Sequence, residues 1–409
     1  MLNLNHNGVN VDIIYEYENE LPIVFFKLIF KNSGKIAEKN DAGIASMLAR
    51  FFNEGSNDEF FKNLEYQAIE LYAKASFEHF QINIKCLKEH FDFAIEKLQE
   101  LLLNVRFDEK ILQRLKILTL GELASLNTDY DYQAKRLLNK SVFKEEIFAS
   151  GLDGSKESIE KITLKKLQDF MDENLVLDNA LFVFGGDVKE DEVKTITQKI
   201  CSQLKKSTLN QNKRFELIDK CVEVVDYKST EQAYIYFCSP FNIQVDDEKM
   251  YLAKIALFIL GQGGFGSRLM EEVRVKRGLA YSAYAMLDVN LNYSRIFGYL
   301  QTKNESAIEA KELVKEVFEI FTQNGVNEKE FKLAKQFLVG SMPLRYENLG
   351  KRLEIMLNEY LQNLKLGNLK EEIQKIKNAS LDTLNDFIKM HKEISKLSFA
   401  SIENESSRK

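Results

Sequence analysis

The chain has 409 residues, and its 56 Lys+Arg against 62 Asp+Glu give a formal charge of −6, small for this length, so neither a nucleic-acid partner nor an acid-coated surface is implied. A hydrophobic content of 45% with 29% charged residues provides apolar material for more than one core, which excludes intrinsic disorder, and the 3 prolines exclude Pro-rich linkers. The longest apolar stretches, such as Leu21 to Phe30, are broken by Lys27 and fall short of the ~20 residues that cross a bilayer, so no membrane span is expected.

Along the chain, Met1-Leu2-Asn3-Leu4-Asn5-His6 lacks a basic segment followed by an apolar one, so no secretory signal is read and a cytoplasmic address is the expectation. Two alternating stretches, Val9 to Tyr17 and Ile23 to Phe30, predict a β-hairpin. Asn40-Asp41 offers a helix start, and Ile44, Met47, Leu48, Phe51 and Phe52 keep the 3.6-residue period to a stop at Gly55. Phe80 to Ile84 alternates as a strand, Phe91 to Leu103 and Asp108 to Leu126 read as helices, a polar helical stretch runs to about Leu175, and Ala180 to Phe184 is an apolar strand. From about Lys213 the plan restarts, with strands near Cys221 to Asp226 and Ala233 to Cys238. Shifting Phe107-Asp108-Glu109-Lys110 by 219 residues lands on Val326-Asn327-Glu328-Lys329, and the same shift carries Gly121 onto Gly340. Two similar halves, residues 1–212 and 213–409, are therefore expected, each an α+β unit with an antiparallel-rich mixed sheet flanked by helices.

Cysteine and histidine restrict the chemistry. Cys86, Cys201, Cys221 and Cys238 show no CxxC spacing and read as isolated thiols. His6, His79, His90 and His391 include no pair at HxxxH spacing, so a helical two-histidine zinc site cannot be built locally. Gly261-Gln262-Gly263-Gly264-Phe265-Gly266 fits the G-x-G-x-x-G pattern, but a dinucleotide loop needs a strand leading into it, whereas Asp246 to Leu260 reads as one long helix. A flexible hinge between helices is the better reading.

The run Gly263-Gly264-Phe265-Gly266-Ser267-Arg268-Leu269-Met270-Glu271-Glu272-Val273-Arg274-Val275-Lys276-Arg277-Gly278-Leu279-Ala280-Tyr281-Ser282 closely resembles the C-terminal-domain signature of the M16 peptidases, the family of pitrilysin, insulin-degrading enzymes and the mitochondrial processing peptidase. The resemblance spans nearly the whole chain and implies two homologous α/β-roll domains of the metallohydrolase-like M16 fold. It also implies that Arg274 and Tyr281 form a pair facing an active site. Locally, Gly278 allows a reversal that returns a strand from Leu279 toward the Arg274 guanidinium. The bland alternative pairs Arg274 with Glu271 or Glu272 and makes Tyr281 a strand core residue.

In the N-terminal half the family carries His-x-x-Glu-His, whose positions are filled here by Ser46, Ala49 and Arg50 within Gly43-Ile44-Ala45-Ser46-Met47-Leu48-Ala49-Arg50-Phe51-Phe52-Asn53-Glu54-Gly55-Ser56. The spacing keeps these three on one helix face, but an arginine brings a fixed cation and no usable lone pair where Zn²⁺ would sit. No metal is expected in this chain. The family's third ligand corresponds to Glu122, which is left either to pair with Arg50 or to face solvent. Glu78 matches an acid near the family's substrate-binding edge strand. By resemblance to bacterial M16B-type heterodimers, the chain is expected to be a non-catalytic subunit. A partner would carry His-x-x-Glu-His and zinc, while Arg274, Tyr281 and Glu78 bind an unfolded peptide; a second copy of this chain is the alternative partner. A non-enzymatic scaffold and a processing metallopeptidase with atypical ligands are the rival readings.

Overall fold

The computed structural model describes residues 1–405. The chain divides into two compact units: Met1–Ala124, Ser150–Asn212 and Tyr346–Leu361 make up the first, and Ser125–Ala149, Lys213–Arg345 and the chain from Gln362 onward make up the second. The cut expected after residue 212 is one crossing between units, but it is not sufficient. Each half also lends the other unit a segment, 125–149 in one direction and 346–361 in the other.

Six strands form the sheet of the first unit: β1 (Leu2–His6), β2 (Val9–Tyr17), β3 (Ile23–Phe30), β4 (Glu70–Ala75), β5 (Phe80–Leu87) and β6 (Ala180–Gly186), in the order β1-β2-β6-β3-β5-β4. The expected hairpin between Val9–Tyr17 and Ile23–Phe30 is not formed. β6 lies between them, parallel to β2 with Asp12 opposite Leu181, and antiparallel to β3 with Phe30 opposite Ala180. Every residue of β6 is buried, and so apolar a strand gains most at the centre of a sheet covered on both faces. The true hairpin is β1–β2, whose turn residues Asn7 and Gly8 both take positive φ (51° and 79°), as a two-residue turn matched to strand twist requires.

One face of this sheet carries Phe26, Phe30, Phe80, Phe182 and Phe184, packed with Leu48, Phe51 and Phe52 of the Ile44–Phe52 helix and with Phe91, Leu98 and Leu101 of the Phe91–Leu103 helix. The opposite face is closed by the borrowed helix Leu349–Leu361, whose Leu349, Leu353 and Leu357 cover Ile14, Ile29, Leu181 and Val183. Gly185 is tied to that contact, because a Cβ there would lie 2.4 Å from Leu353.

The second unit repeats the plan with β7 (Glu223–Lys228), β8 (Gln232–Pro240), β9 (Ala280–Val289), β10 (Ser294–Lys303) and β11 (Ser398–Asn404), in the order β7-β11-β8-β10-β9. Here too the late strand β11 separates the two early ones, parallel to β7 and antiparallel to β8. Helices Met250–Leu257, Ala307–Asn324 and Leu381–Met390 cover one face. The borrowed Tyr130–Val142 helix packs against β8 and β11. Its Asp131 carboxylate accepts from the Tyr236 hydroxyl at 3.1 Å, and its Asn139 accepts from the buried Arg295 guanidinium at 2.9 Å. Arg295 also pairs with Asp288 at 2.7 Å and lies against Phe143, Tyr293 and Phe297, so this buried cation is fully compensated.

The long helix expected over Asp246 to Leu260 is interrupted. Met250–Leu257 is α-helical and Phe258–Gln262 widens into a π turn, with the Gly263 N–H reaching the Phe258 carbonyl at 2.8 Å. The glycine-rich loop thus follows a helix rather than a strand, which removes the βαβ setting a dinucleotide requires.

Candidate functional site

The Ile44–Phe52 helix starts at Gly43 (φ 90°), and its first N–H groups are capped by a distant acid: the Glu38 carboxylate accepts from Gly43 at 3.0 Å and Ala45 at 3.1 Å. Burial pushes the Glu38 carboxyl up to about 7 despite these bonds and the neighbouring Lys35 ammonium. Lys35 in turn donates to the Ser150 carbonyl at 2.8 Å, which anchors the loop that follows. That loop presses on the helix start so closely that a Cβ at Gly43 would lie 2.7 Å from the Asp153 carbonyl oxygen. The result is that Asp153 stands over the helix face carrying Ser46 and Arg50.

On this face Ser46 donates to Asp153 at 2.5 Å, and Arg50 donates to Asp153 at 3.2 Å. Arg50 also grips both Glu122 oxygens, at 3.2 and 2.5 Å, so the ion pair left open by the sequence is formed. The Glu122 hydrogen bond holds the Arg50 guanidinium above its usual value, against partial burial and with support from Asp153. Ala49 is buried and contributes no polar atom. These residues do not fit zinc: the would-be third ligand is engaged by a permanent cation standing where the two imidazoles belong. Among the described residues no group of three or more His, Cys, Asp or Glu side chains is arranged to hold a metal ion.

Asp153 is a residue that sequence reasoning missed. It lies 103 positions from Arg50 in an irregular loop, where no periodicity signals its role. Asn53, one turn beyond Arg50, was missed as well. Its carboxamide donates to the Ala73 carbonyl of β4 at 3.0 Å and accepts from the Ala73 N–H at 2.8 Å. Ser46, Arg50 and Asn53 therefore form one polar stripe, with every member bonded.

Glu78 sits in the tight turn joining β4 to β5, where Ser76 N–H reaches the His79 carbonyl at 2.8 Å and the Glu78 carbonyl accepts from Gly34. The neighbouring His79 is kept neutral, its imidazole pushed down to about 4 by burial. Cys86, Cys201 and Cys238 are buried free thiols, and burial pushes the first two up to about 12 and the third to about 11, which leaves them unreactive.

In the second unit, Arg274 lies in the π-helical stretch Met270–Lys276, and Gly278 (φ 62°) turns the chain into β9. β9 is an edge strand, and the β9–β10 register steps from Ser282 opposite Gln301 to Ala280 opposite Thr302. Tyr281 is thus the extra residue of a β-bulge, which turns its ring outward to 74% exposure. The Arg274 guanidinium donates to the Tyr281 backbone carbonyl at 2.6 Å and lies 4.8 Å from the centroid of the Phe265 ring. The bland alternative fails on both counts: Glu272 is taken by Lys276 at 2.6 Å and Arg277 at 2.9 Å, and Tyr281 is not in the core. The pair differs from the expectation in one respect, since Arg274 donates to the backbone carbonyl of Tyr281 rather than to its phenol.

Comparison with known proteins identifies the family of the chain. Residues 23–154 match the family model described as insulinase (peptidase family M16), and residues 161–338 match that of the peptidase M16 inactive domain. A Helicobacter pylori protein named non-peptidase homolog YmxG is 37% identical over 98% of this chain and 94% of its own length. A Bacillus subtilis protein named uncharacterized zinc protease YmxG is 22% identical over 84% of each. The crystal structure of a peptidase M16 inactive domain from Pseudomonas fluorescens shares the fold with a TM-score of 0.89 at 22% identity, covering 98% of both chains. A crystal structure of a Helicobacter pylori protease shares it with a TM-score of 0.84 at 16% identity, covering 98% of this chain and 99% of that one. With Ser46, Ala49 and Arg50 standing in place of His-x-x-Glu-His and with the two-unit architecture, the chain belongs to the M16 peptidase family.

Proposed function

We propose that this chain is the non-catalytic subunit of a two-chain zinc peptidase, presenting Arg274 and Tyr281 to a peptide held at the zinc of a partner that carries His-x-x-Glu-His. The observation that carries this reading is the bulge at Tyr281. A ring 74% exposed on an edge strand, with an arginine fixed to its carbonyl, places a phenol and a guanidinium side by side where an added strand can reach them. Arg274 and the Tyr281 phenol supply donors for a substrate carbonyl, and such donors position a scissile bond and stabilise the oxyanion that forms on it. Glu78, in the β4–β5 turn, is a secondary candidate contact through its side chain at the turn, not through strand pairing along β4. The substrate class is unfolded peptide, recognised mainly through its backbone. No helix of the described residues is long and apolar enough to cross a membrane, and the proposed compartment is the cytoplasm, consistent with four free cysteines.

The test uses the purified chain, an M16 partner with an intact zinc motif, and a fluorogenic peptide. The chain alone is expected to cleave nothing, and the mixture to cleave in a chelator-sensitive manner. Arg274→Ala should lower turnover of the mixture by about 100-fold while sedimentation still shows the complex, the size of effect seen when one oxyanion donor is removed. Full turnover by the Arg274→Ala complex would instead favour a scaffolding role, and self-association without a partner would favour a homodimer.

A further inference from the structure

The two sheets end in equivalent edge strands, β4 in the first unit and β9 in the second, each beside the end of its unit's first core helix. In the second unit the helix end meets the strand directly: a Cβ on Gly261 would lie 2.3 Å from the Ala285 nitrogen and 2.6 Å from its oxygen. In the first unit the edge-strand residue Ala73 is reached by a side chain, the Asn53 carboxamide, which satisfies both its N–H and its carbonyl. Because Ala73 sends both groups outward, it is a non-hydrogen-bonded partner of Ile82, and the period of two makes Leu71, Ala73 and Ala75 the residues whose peptides face the open edge. Asn53 occupies the middle of that row. A carboxamide presents one donor and one acceptor side by side, the pattern an incoming strand residue would offer. The edge is further closed beyond β4, where Gly34, Lys35 and Ile36 N–H groups bond the Glu78, Ser76 and Phe77 carbonyls.

We infer that Asn53 is a built-in stand-in for a guest strand: it seals the β4 edge, so the first unit does not accept an extended peptide, and removing the carboxamide opens a strand-acceptor site along residues 71–75. This inference concerns the first unit alone and does not depend on the role proposed for Arg274 and Tyr281. It assigns Asn53 a blocking function on the same helix face whose metal ligands are gone.

Hydrogen exchange by mass spectrometry on the full chain, in the presence and absence of a fluorescein-labelled decapeptide of alternating valine and threonine, tests it. In the wild type the Ala73 amide should exchange slowly and the peptide should change neither anisotropy nor exchange across residues 71–75. Asn53→Ala should speed that amide by about 10-fold or more, the scale set by losing two hydrogen bonds. It should also bind the peptide at least about 10-fold more tightly, with new protection confined to 71–75. Asn53→Asp, which keeps the acceptor and loses the donor, should fall between the two and covers the case in which the alanine variant folds poorly. Unchanged Ala73 exchange in both variants, or peptide protection of 71–75 already present in the wild type, would overturn the inference.

Discussion

Arg50 is charged at every accessible pH, so its meeting with Glu122 and Asp153 lets one delocalised cation neutralise two acids without a metal. Because the Arg50 side chain is 25% exposed and that of Glu122 is 55% exposed, the pair stabilises the fold by only about 1 kcal/mol, and the site can be rebuilt without collapse of the unit. The triple change Ser46→His, Ala49→Glu and Arg50→His restores two imidazoles on one helix face next to the unaltered Glu122. The expected outcome is about one equivalent of zinc retained through gel filtration, measured by elemental analysis, whereas Arg50→His alone retains less because only one imidazole joins the Glu122 and Asp153 carboxylates. A triple variant that folds yet holds no zinc would mean that the helix face and Glu122 have lost the metal-site geometry as well as its ligands. The loss of the ligands was legible from Ser46, Ala49 and Arg50 alone. The identity of what fills the space was only half legible, since Glu122 follows from motif spacing while Asp153 arrives by a tertiary loop contact.

Between the first core helix and the edge strand, the two units solve one packing problem in two ways. Gly261 lets the helix backbone touch β9, and Asn53 reaches β4 with its side chain. The glycine is therefore required by space, not by backbone conformation. Gly261→Ala should cost about 3 kcal/mol, near the top of the range for overpacking, because the obstruction is the Ala285 backbone rather than a movable side chain. Gly266→Ala, where no atom of the described residues lies within 4 Å of the added methyl, is the control in the same loop and should leave thermal stability nearly unchanged. Chemical denaturation of the two variants separates them, and equal midpoints would remove the argument for a close helix–strand contact. At this scale the sequence speaks clearly about elements and poorly about pairing. Alternation located β2 and β3, an unbroken apolar run located β6, and the 3.6-residue period located the Phe91–Leu103 helix, because all three patterns are local. The hairpin assignment failed because neighbouring strands gain more by admitting a late, wholly apolar strand than by pairing with each other, and a β6 partner some 150 residues away leaves no mark in a local window. The π turns at 258–262 and 270–276 were also invisible, since they depend on contacts with β9.

Each unit borrows a helix from the opposite half of the chain, and the energetics of that loan determine whether the halves can exist apart. Leu349, Leu353 and Leu357 are each less than a tenth exposed against Ile14, Ile29, Leu181 and Val183. At roughly 2 kcal/mol for each leucine buried, the helix Leu349–Leu361 contributes about 6 kcal/mol, comparable with the whole net stability of an ordinary domain. The internal repeat suggested two self-contained halves because repeated helix and strand periods report ancestry of the pieces, not where each piece packs. Expressing residues 1–212 alone should therefore give a species that binds a hydrophobic dye and lacks a cooperative thermal transition, as expected for a sheet with one apolar face uncovered. A fragment in which 346–361 is joined to residue 212 through a flexible linker should regain that transition. In the full chain, Leu353→Asp places a charge against Gly185 and the buried strand β6, and should lower the unfolding free energy of the first unit by several kcal/mol while leaving the Arg274 and Tyr281 bulge in the second unit intact. Cooperative unfolding of residues 1–212 by themselves would show that the borrowed helix is a decoration, and the two-unit division would then reduce to a simple cut at the midpoint of the chain.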